Sequence, residues 1–390
     1  MRIFTIHTYY QQRGGEDESF AAEVALLHER GHKVLALTFH NQELDGMPPW
    51  RQGLVTLWNQ GAYRRVREAI RQHRPDLVHV HNTFPLASPA VIHAAKAEGV
   101  PVVMTLRNYR LLCVNALFFR EGRVCEDCLG RLPWRGVVHG CYRDSRLASL
   151  GVASMLALHR ALRTWNLVDR FIALTEFARQ KFVEGGLPAE KIVVKPNFVH
   201  PDPGPGEGRG GYALFVGRLS PEKGVRTLLR AWALLGGRVP LKVVGDGPLA
   251  DEVREAARRL PGVEWLGRKS PKEVYALMGE AAFLVFPSEW YETFGRVAIE
   301  AFAKGTPVVA SRIGAVGEVT EDGRTGLHFR PGDPEDLAAK VEWLLAHPEE
   351  LARMRKEARA EYETKYTAER NYEQLMAIYQ GVCRIRGGVV

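Results

Sequence analysis

Two glutamates, Glu292 and Glu300, lie eight positions apart and enclose the turn Thr293-Phe294-Gly295. The apolar run 282–286 predicts a buried strand, and the apolar run that begins at Arg296 predicts a helix. Glu292 is therefore expected in a loop at the carboxyl end of a strand, and Glu300 within the helix that follows. Open parallel sheets bind their ligands at this edge.

The chemistry available at this position is recognition of a ligand that carries both phosphates and hydroxyl groups. Backbone amides around Phe294 and Gly295 lie at a helix amino terminus, where the helix dipole favours an anion. Carboxylates would repel a phosphate, so Glu292 and Glu300 are expected to accept hydrogen bonds from hydroxyl groups. A nucleotide-sugar has phosphates in its middle and hydroxyls at both ends. The spacing alone also allows two solvated surface acids around a packing glycine.

Two cations precede this stretch in the chain. Arg218 follows the predicted strand 212–216, and Ser220-Pro221 predicts the start of a helix whose first turn holds Lys223. Two positive charges beside one helix amino terminus can neutralise the charge that develops on a diphosphate leaving group.

Together these motifs resemble the E-x7-E signature of retaining glycosyltransferases with two facing Rossmann-like domains, the group 1 or family 4 glycosyltransferases. The resemblance extends to GRLSPEKG at 217–224, VGDGP at 244–248 and the acidic and glycine residues of 318–326. It covers most of residues 210–345.

The resemblance implies a fold and a set of roles. The fold is α/β, with an interdomain cleft and a C-terminal helix that crosses back to the first domain. Glu292 would bind hydroxyls of the sugar and Glu300 those of the ribose, and Arg218 and Lys223 would bind the departing diphosphate. The other implied contacts to donor or acceptor are Thr293, Phe294, Gly295, Gly14, Gly15, His81 and Arg107. Gly14 and Gly15 lie in the predicted first loop, 11–15, which precedes a helix whose first turn holds three acids at 16–18.

The first domain departs from the family pattern at Arg107, where the family commonly has a histidine. An arginine cannot exchange a proton near neutral pH, but its five donors can bind a phosphate or a sugar hydroxyl. His81 ends the predicted strand 77–81 and is either a ligand of the acceptor or sugar, or a structural residue.

At 390 residues the chain is expected to form two domains. We predict an acceptor-binding domain at 1–200, a linker at 201–211, a nucleotide-sugar domain at 212–365, and a crossover helix and tail at 366–390. Within the first domain, apolar patterns predict one helix over 55–72 and a long helix over 149–165. The basic end of the long helix would suit an anionic lipid surface.

An insert at 107–146 is rich in arginine and cysteine. It holds eight arginines, four acids and four of the five cysteines, spaced C-x11-C-x2-C-x12-C. This spacing suits a structural zinc ion bound by Cys113, Cys125, Cys128 and Cys141. An iron–sulfur cluster, unliganded thiols and disulfides are the alternatives, although a cytoplasmic location disfavours disulfides. The catalytic scheme implied by the resemblance needs no metal.

The composition predicts a cytoplasmic globular protein with anionic partners. The chain is 46% hydrophobic with a net charge of +8, begins with a predicted strand in place of a secretory signal, and has no apolar run of membrane-spanning length. The predicted partners are a nucleotide-sugar donor and a saccharide or lipid-linked acceptor of cell-surface polysaccharide synthesis, with peripheral contact to the inner membrane surface and without nucleic acid.

Two other functions are consistent with the sequence. A nucleotide-sugar epimerase would share the architecture but would need acid–base residues where this chain has Arg107. A nucleic-acid-binding protein could use the basic insert, in which aromatic residues such as Tyr109 and Trp134 alternate with arginines.

Overall fold

The structure, a computed structural model, describes residues 1–11 and 14–387. Positions 12 and 13 of the predicted first loop and positions 388–390 of the predicted tail lie outside the described residues. The chain divides into two compact units. Unit 1 comprises Met1–Phe118, Cys125–Pro196 and Asn371–Val390, and unit 2 comprises Phe119–Val124 and Asn197–Arg370.

Unit 1 is built on a six-stranded parallel sheet in the order β2-β1-β3-β4-β7-β8. The strands of unit 1 are β1 (Arg2–Tyr9), β2 (Lys33–His40), β3 (Leu77–Asn82), β4 (Val102–Thr105), β7 (Arg170–Ala173) and β8 (Ile192–Val194). The antiparallel hairpin of β5 (Phe119–Arg120) and β6 (Arg123–Val124) lies between β4 and β7 in the chain and belongs to unit 2.

Helices connect the strands of unit 1, as parallel strands require. They are α1 (Gly15–Glu29), α2 (Pro49–Leu57), α3 (Gln60–His73), α4 (Ala90–Ala97), α5 (Trp134–Val138), α6 (Arg146–Ala161) and α7 (Glu176–Glu184), with 3-10 turns at Asn41–Leu44, Thr164–Leu167 and Ala189–Lys191. Side-chain caps at Asn59 and Ser145 start α3 and α6 by accepting hydrogen bonds from free backbone amides.

Unit 2 repeats the plan with the strand order β11-β10-β9-β12-β13-β14, again all parallel. Its strands are β9 (Ala213–Val216), β10 (Leu241–Val244), β11 (Val263–Gly267), β12 (Phe283–Phe286), β13 (Val308–Ser311) and β14 (Gly326–Phe329). Its helices are α8 (Val225–Leu235), α9 (Ala250–Arg259), α10 (Pro271–Glu280), α11 (Arg296–Ala303), α12 (Gly314–Val319), α13 (Pro334–Ala346) and α14 (Pro348–Lys365), with a 3-10 turn at Pro221–Lys223.

These two sheets confirm the predicted α/β class with two Rossmann-like units. In each sheet the strand order reverses once, between β1 and β3 in unit 1 and between β9 and β12 in unit 2. Such a reversal opens a crevice at the carboxyl ends of the strands, where ligands bind. The loops that follow these strands are therefore the places to look for a site.

The last helix, α15 (Ala368–Gly387), follows unit 2 in the chain but packs in unit 1. Its buried residues Leu375, Tyr379 and Val382 join one hydrophobic cluster with Ile3 and Leu77 of the first sheet. The Tyr379 hydroxyl also lies 2.7 Å from His79 Nδ1. The end of the chain thus completes the core of unit 1.

Two helix predictions for the first domain need correction. The single helix expected over 55–72 is two helices, α2 and α3, because Asn59 turns away from helical geometry to cap α3. The long helix expected over 149–165 spans 146–161. Among the described residues, no helix combines the length and hydropathy that crossing a membrane requires.

Candidate functional site

Two loops of unit 2, the loop after β9 and the loop after β12, are held together at the point where the strand order reverses. The Glu289 amide donates to the Glu222 carbonyl at 2.9 Å. Gly224 has φ +69°, and a Cβ there would lie 1.8 Å from the Pro287 carbonyl oxygen. Only glycine permits this approach, which places the neighbouring Lys223 beside the second loop.

Lys223 and Glu292 meet as an ion pair across these two loops. The lysine Nζ lies 2.5 Å from Glu292 Oε1. The same carboxylate oxygen accepts from the Ser288 hydroxyl at 2.9 Å and from the Trp290 indole at 3.0 Å. Glu292 is only 8% exposed, and these donors stabilise its buried charge.

Glu300 lies one turn into α11, as predicted, and faces its own cation. Arg296 Nε donates to Glu300 Oε1 at 2.7 Å. Burial, followed by the charge of Glu300, raises the pKa of Tyr275 to about 12. Glu300 is partly exposed, so its carboxylate is accessible to a ligand hydroxyl.

The turn before α11 requires a glycine. Gly295 has φ +92°, and a Cβ there would lie 2.7 Å from the Phe286 ring. Phe294 is buried, whereas Thr293 is partly exposed. Arg218 is exposed just past β9, and no described residue gives its guanidinium a hydrogen bond or an ion pair.

The start of the helix after Lys223 differs from the prediction. Ser220 does not cap it with its side chain; its hydroxyl donates to Glu222 Oε1 at 2.5 Å. Residues 221–223 form a 3-10 turn, and α8 begins after Gly224. Lys223 therefore precedes the helix amino terminus, where its ammonium remains near Trp290, 5.2 Å from the ring centroid.

In unit 1, Gly14 and Gly15 stand at the start of α1. The Gly14 amide donates to Asp17 Oδ2 at 3.1 Å, and Asp17 Oδ1 lies 2.8 Å from the buried His7 Nε2. A Cβ at either glycine would meet no atom within 4 Å. The first loop is thus open at both glycines and anchored through Asp17.

Arg107 and His81 are in contact at the carboxyl ends of β3 and β4. Arg107 donates to His81 Nδ1 from Nε at 3.3 Å and from Nη2 at 3.0 Å. Because an arginine only donates, His81 Nδ1 accepts, and the proton of the neutral ring is on Nε2. That nitrogen faces Glu23 Oε1 at 3.6 Å.

Glu23 lies at the centre of a buried network behind Arg107. Its carboxylate is 3.2 Å from Lys195 Nζ and 3.3 Å from His79 Nδ1. Burial by itself would raise the pKa of Glu23, but Lys195, then His79 and Arg107, hold it below the usual value. Burial lowers the pKa of His81 well below its usual value and that of His79 to about 4.

The same cluster has the spacing of a metal site but the wrong charges. Glu23, His79 and His81 each place one ligand atom within 4.8 Å of the other two. Lys195 already neutralises the carboxylate, and Arg107 donates to one of the imidazoles. A cation would meet both positive charges, so we interpret the cluster as an ion-pair network that orients Arg107.

The four cysteines of the insert lie in one part of unit 1. Burial raises the pKa of Cys128 to about 11, and the charges of Cys113, Cys141 and Cys125 add to this effect. Within residues 1–11 and 14–387, no group of three cysteines brings its sulfurs within 4.8 Å of one another. Zinc coordination here therefore remains a prediction, and it requires the sulfurs to move closer and lose their protons.

A polar group beside the first loop was not predicted from the sequence. Asn108 donates to both Glu16 carboxylate oxygens at 3.1 Å and to the Tyr10 hydroxyl at 3.1 Å. Burial raises the pKa of Glu16 above its usual value. The positions of Tyr10, directly after β1, and of Asn108, just beyond the end of β4, could have indicated this group from the sequence.

Two family models match the chain. The model described as Glycosyltransferase Family 4 matches residues 14–203, and the model described as Glycosyl transferases group 1 matches residues 205–361. The two matches together include all the residues of both loops in unit 2 and both glycines of the first loop.

Individual relatives extend these matches. Alpha-D-kanosaminyltransferase of Streptomyces kanamyceticus is 32% identical over 341 residues, which is 85% of this chain and 84% of the relative. Glycogen synthase of Mycobacterium tuberculosis strain H37Rv is 38% identical over 302 residues, 74% of this chain, and the alignment spans only 64% of that synthase. The crystal structure of Anabaena Alr3699/HepE in complex with UDP has a TM-score of 0.68 at 20% identity, covering 98% of this chain and 100% of that chain. At this identity the likeness concerns the fold alone.

The buried histidines predict how stability depends on pH. The pKa of His79 is about 4 in the folded chain and 6.5 for an ordinary histidine, as in the unfolded chain. Between these values only the unfolded chain binds the proton, so the free energy of unfolding decreases as pH falls. The expected loss at His79 is about 2 kcal/mol at pH 5. In urea titrations between pH 7 and 5, His79→Gln should flatten this dependence. His139→Gln, at an exposed histidine, should leave it unchanged; equal slopes in both variants would refute the assignment.

Proposed function

We propose that this chain, which belongs to the glycosyltransferases of group 1 and family 4, transfers a sugar in the cytoplasm from a nucleotide-diphosphate-sugar to an acceptor with retention of the anomeric configuration. The observation that carries the proposal is the Lys223–Glu292 pair, which places a cation and a carboxylate at the carboxyl ends of β9 and β12. The Lys223 ammonium, which would bind a phosphate, therefore lies beside the Glu292 carboxylate, which would bind hydroxyl groups.

The donor roles follow from the charges and positions in unit 2. Lys223 and the exposed Arg218 bind the diphosphate, together with the amides of Phe294 and Gly295 at the start of α11. Glu292 accepts from hydroxyls of the transferred sugar, next to Thr293. Glu300 accepts from the ribose hydroxyls. HepE was crystallised with UDP, so UDP is the first nucleotide to examine.

Retention requires the acceptor oxygen to attack from the face that the phosphate leaves. As the bond from the anomeric carbon to the phosphate oxygen breaks, that oxygen takes the proton of the acceptor hydroxyl. Lys223 and Arg218 neutralise the negative charge that develops on the diphosphate. Glu292 is bound to Lys223, Ser288 and Trp290, which supports a binding role over that of a nucleophile.

We assign acceptor binding to unit 1. Arg107, held by His81, presents a fixed guanidinium suited to a phosphate or sugar hydroxyl. Glu16, near the open glycines Gly14 and Gly15, offers a carboxylate whose pKa is raised by burial. These groups suit a saccharide or a lipid-linked saccharide with a diphosphate, as in cell-surface polysaccharide synthesis. Peripheral contact with the membrane is part of the same proposal.

Nucleotide binding should stabilise the chain selectively. Among nucleoside diphosphates and nucleotide-sugars, those with one particular base should raise the thermal unfolding midpoint. At a ligand concentration of 100 Kd, binding should stabilise the folded chain by about 2.7 kcal/mol. Lys223→Ala and Glu300→Ala should lose most of this shift, because each removes a proposed contact to the ligand. Lys272→Ala, at an exposed lysine on α10, is the matched control and should keep it. An absence of any shift with every nucleotide would refute the donor site.

Turnover should depend on the two cations and should retain configuration. With the stabilising nucleotide-sugar and alkyl glycosides as acceptors, Lys223→Ala and Arg218→Ala should lower kcat by about a hundredfold, since both would stabilise the leaving diphosphate. NMR of the anomeric proton should show the same configuration in product and donor. An inverted product would contradict the proposed mechanism, and conversion of the donor to its epimer without acceptor would indicate an epimerase instead.

A further inference from the structure

Large apolar side chains are exposed together on one part of unit 1. Of the twelve exposed large hydrophobic residues in the described chain, eight lie between positions 50 and 162. The most exposed are Leu147 at 72%, Trp50 at 68% and Val138 at 62%. Single exposed apolar residues are common, but such a concentration typically marks an interaction surface. The eight residues are Trp50, Leu54, Leu132, Trp134, Val138, Leu147, Leu150 and Leu162.

The helices that carry most of these residues form one layer. Arg146 of α6 donates to the Val138 carbonyl at the end of α5 at 3.2 Å, and Arg160 donates to the Arg131 carbonyl before α5 at 2.9 Å. His159 Nε2 of α6 also lies 2.9 Å from the Leu57 carbonyl at the end of α2. Helices α2 and α5 therefore both pack along α6.

The inner face of this layer is already occupied. Val152, Ala153 and Leu156 of α6 are buried in a hydrophobic cluster with Phe84. Leu147 and Leu150 lie on the same helix but point away from that cluster into solvent. The exposed residues are thus additional to the core, and the fold does not need them for packing. We call this outer face of α2, α5 and α6, together with the flanking residues 131–133, the helical face.

The helical face is strongly basic. Its segments 49–57, 131–138 and 146–161 contain five arginines and no lysine, aspartate or glutamate. Arg51 lies between the exposed Trp50 and Leu54 on α2. Exposed tryptophan, leucine and arginine on one amphipathic surface is the combination that binds the boundary of an anionic lipid bilayer.

We propose that the helical face docks unit 1 on a bilayer that contains anionic phospholipid. The arginines bind headgroup phosphates, and Leu147, Val138 and Trp134 enter the boundary between headgroups and acyl chains. The inference rests on the proposed function only for its biological use, which is to bring the chain to a lipid-linked acceptor. The binding itself requires neither donor nor acceptor.

Charge and apolarity together favour lipid over the other partners. A second copy of the chain would set the same excess of arginines against itself, which costs free energy without counter-charges. A nucleic acid would satisfy the arginines but would leave the exposed leucines and valine without a partner. Only an anionic membrane provides phosphates and an apolar layer at the same surface.

The test is flotation of the full-length chain with vesicles of phosphatidylcholine alone or with 30% phosphatidylglycerol. We expect binding to the mixed vesicles and little binding to phosphatidylcholine alone, with weaker binding as salt increases. Val138→Glu combined with Leu147→Glu should weaken binding to the mixed vesicles by about tenfold or more, because two inserted apolar side chains are lost. Both positions are exposed, so the fold should tolerate the changes.

Matched controls carry the same type of change on unit 2. Leu234→Glu and Leu345→Glu, at residues 50% and 42% exposed, should bind vesicles like the native chain. The nucleotide-induced thermal shift of every variant reports on folding and on the donor site, so its loss would be distinguishable from loss of membrane binding. Failure to bind anionic vesicles, or equal binding to both vesicle types, would overturn the proposal. So would control changes that weaken binding as much as the Val138→Glu, Leu147→Glu double variant does, or a concentration-dependent dimer that this double variant abolishes.

Discussion

The ion pair between Lys223 and Glu292 is the interaction on which the candidate site depends. It joins two loops that are 69 residues apart in the chain and that meet because β9 and β12 are neighbours in the sheet. Gly224 permits the close approach, and Ser288 and Trp290 complete the environment of the carboxylate. A partly buried pair of this kind gains little net stability, because the loss of hydration offsets the attraction. We therefore infer that the pair serves ligand binding more than folding stability.

A ligand with both phosphates and hydroxyls can replace this pair at low cost. Lys223 would exchange the carboxylate for a phosphate, and Glu292 would exchange the ammonium for sugar hydroxyls, so that neither charge is left unpaired. Arg218, exposed and without a partner among the described residues, can attract the anion first. Arg296 and Glu300 form a second, partly exposed pair one turn into α11 that can open toward a ribose in the same way.

The sequence predicted these features well where local patterns decide them. The apolar run of β12, the glycine before α11 and the acidic first turn of α1 are each set by neighbouring residues. Contacts between distant residues were not predictable in this way: Asn371 of α15 meets Lys195, the partner of Glu23, only because α15 returns to the first sheet. Ser220 was misjudged because its hydroxyl donates to the Glu222 carboxylate and does not accept from a backbone amide at the start of the helix. The break at Asn59 was missed because a polar cap interrupts an otherwise continuous helical pattern.

Calorimetric titration of the native chain and of Glu292→Gln, with a nucleoside diphosphate and with its nucleotide-sugar, tests the central claim most directly. If Glu292 holds Lys223 before binding and the sugar afterwards, the substitution should leave affinity for the diphosphate unchanged or stronger. The substitution should weaken binding of the nucleotide-sugar by about tenfold to a hundredfold, which is the usual effect of losing hydrogen bonds to a charged group. An equal loss for both ligands, or no change for either, would contradict the exchange of partners at Lys223 and Glu292.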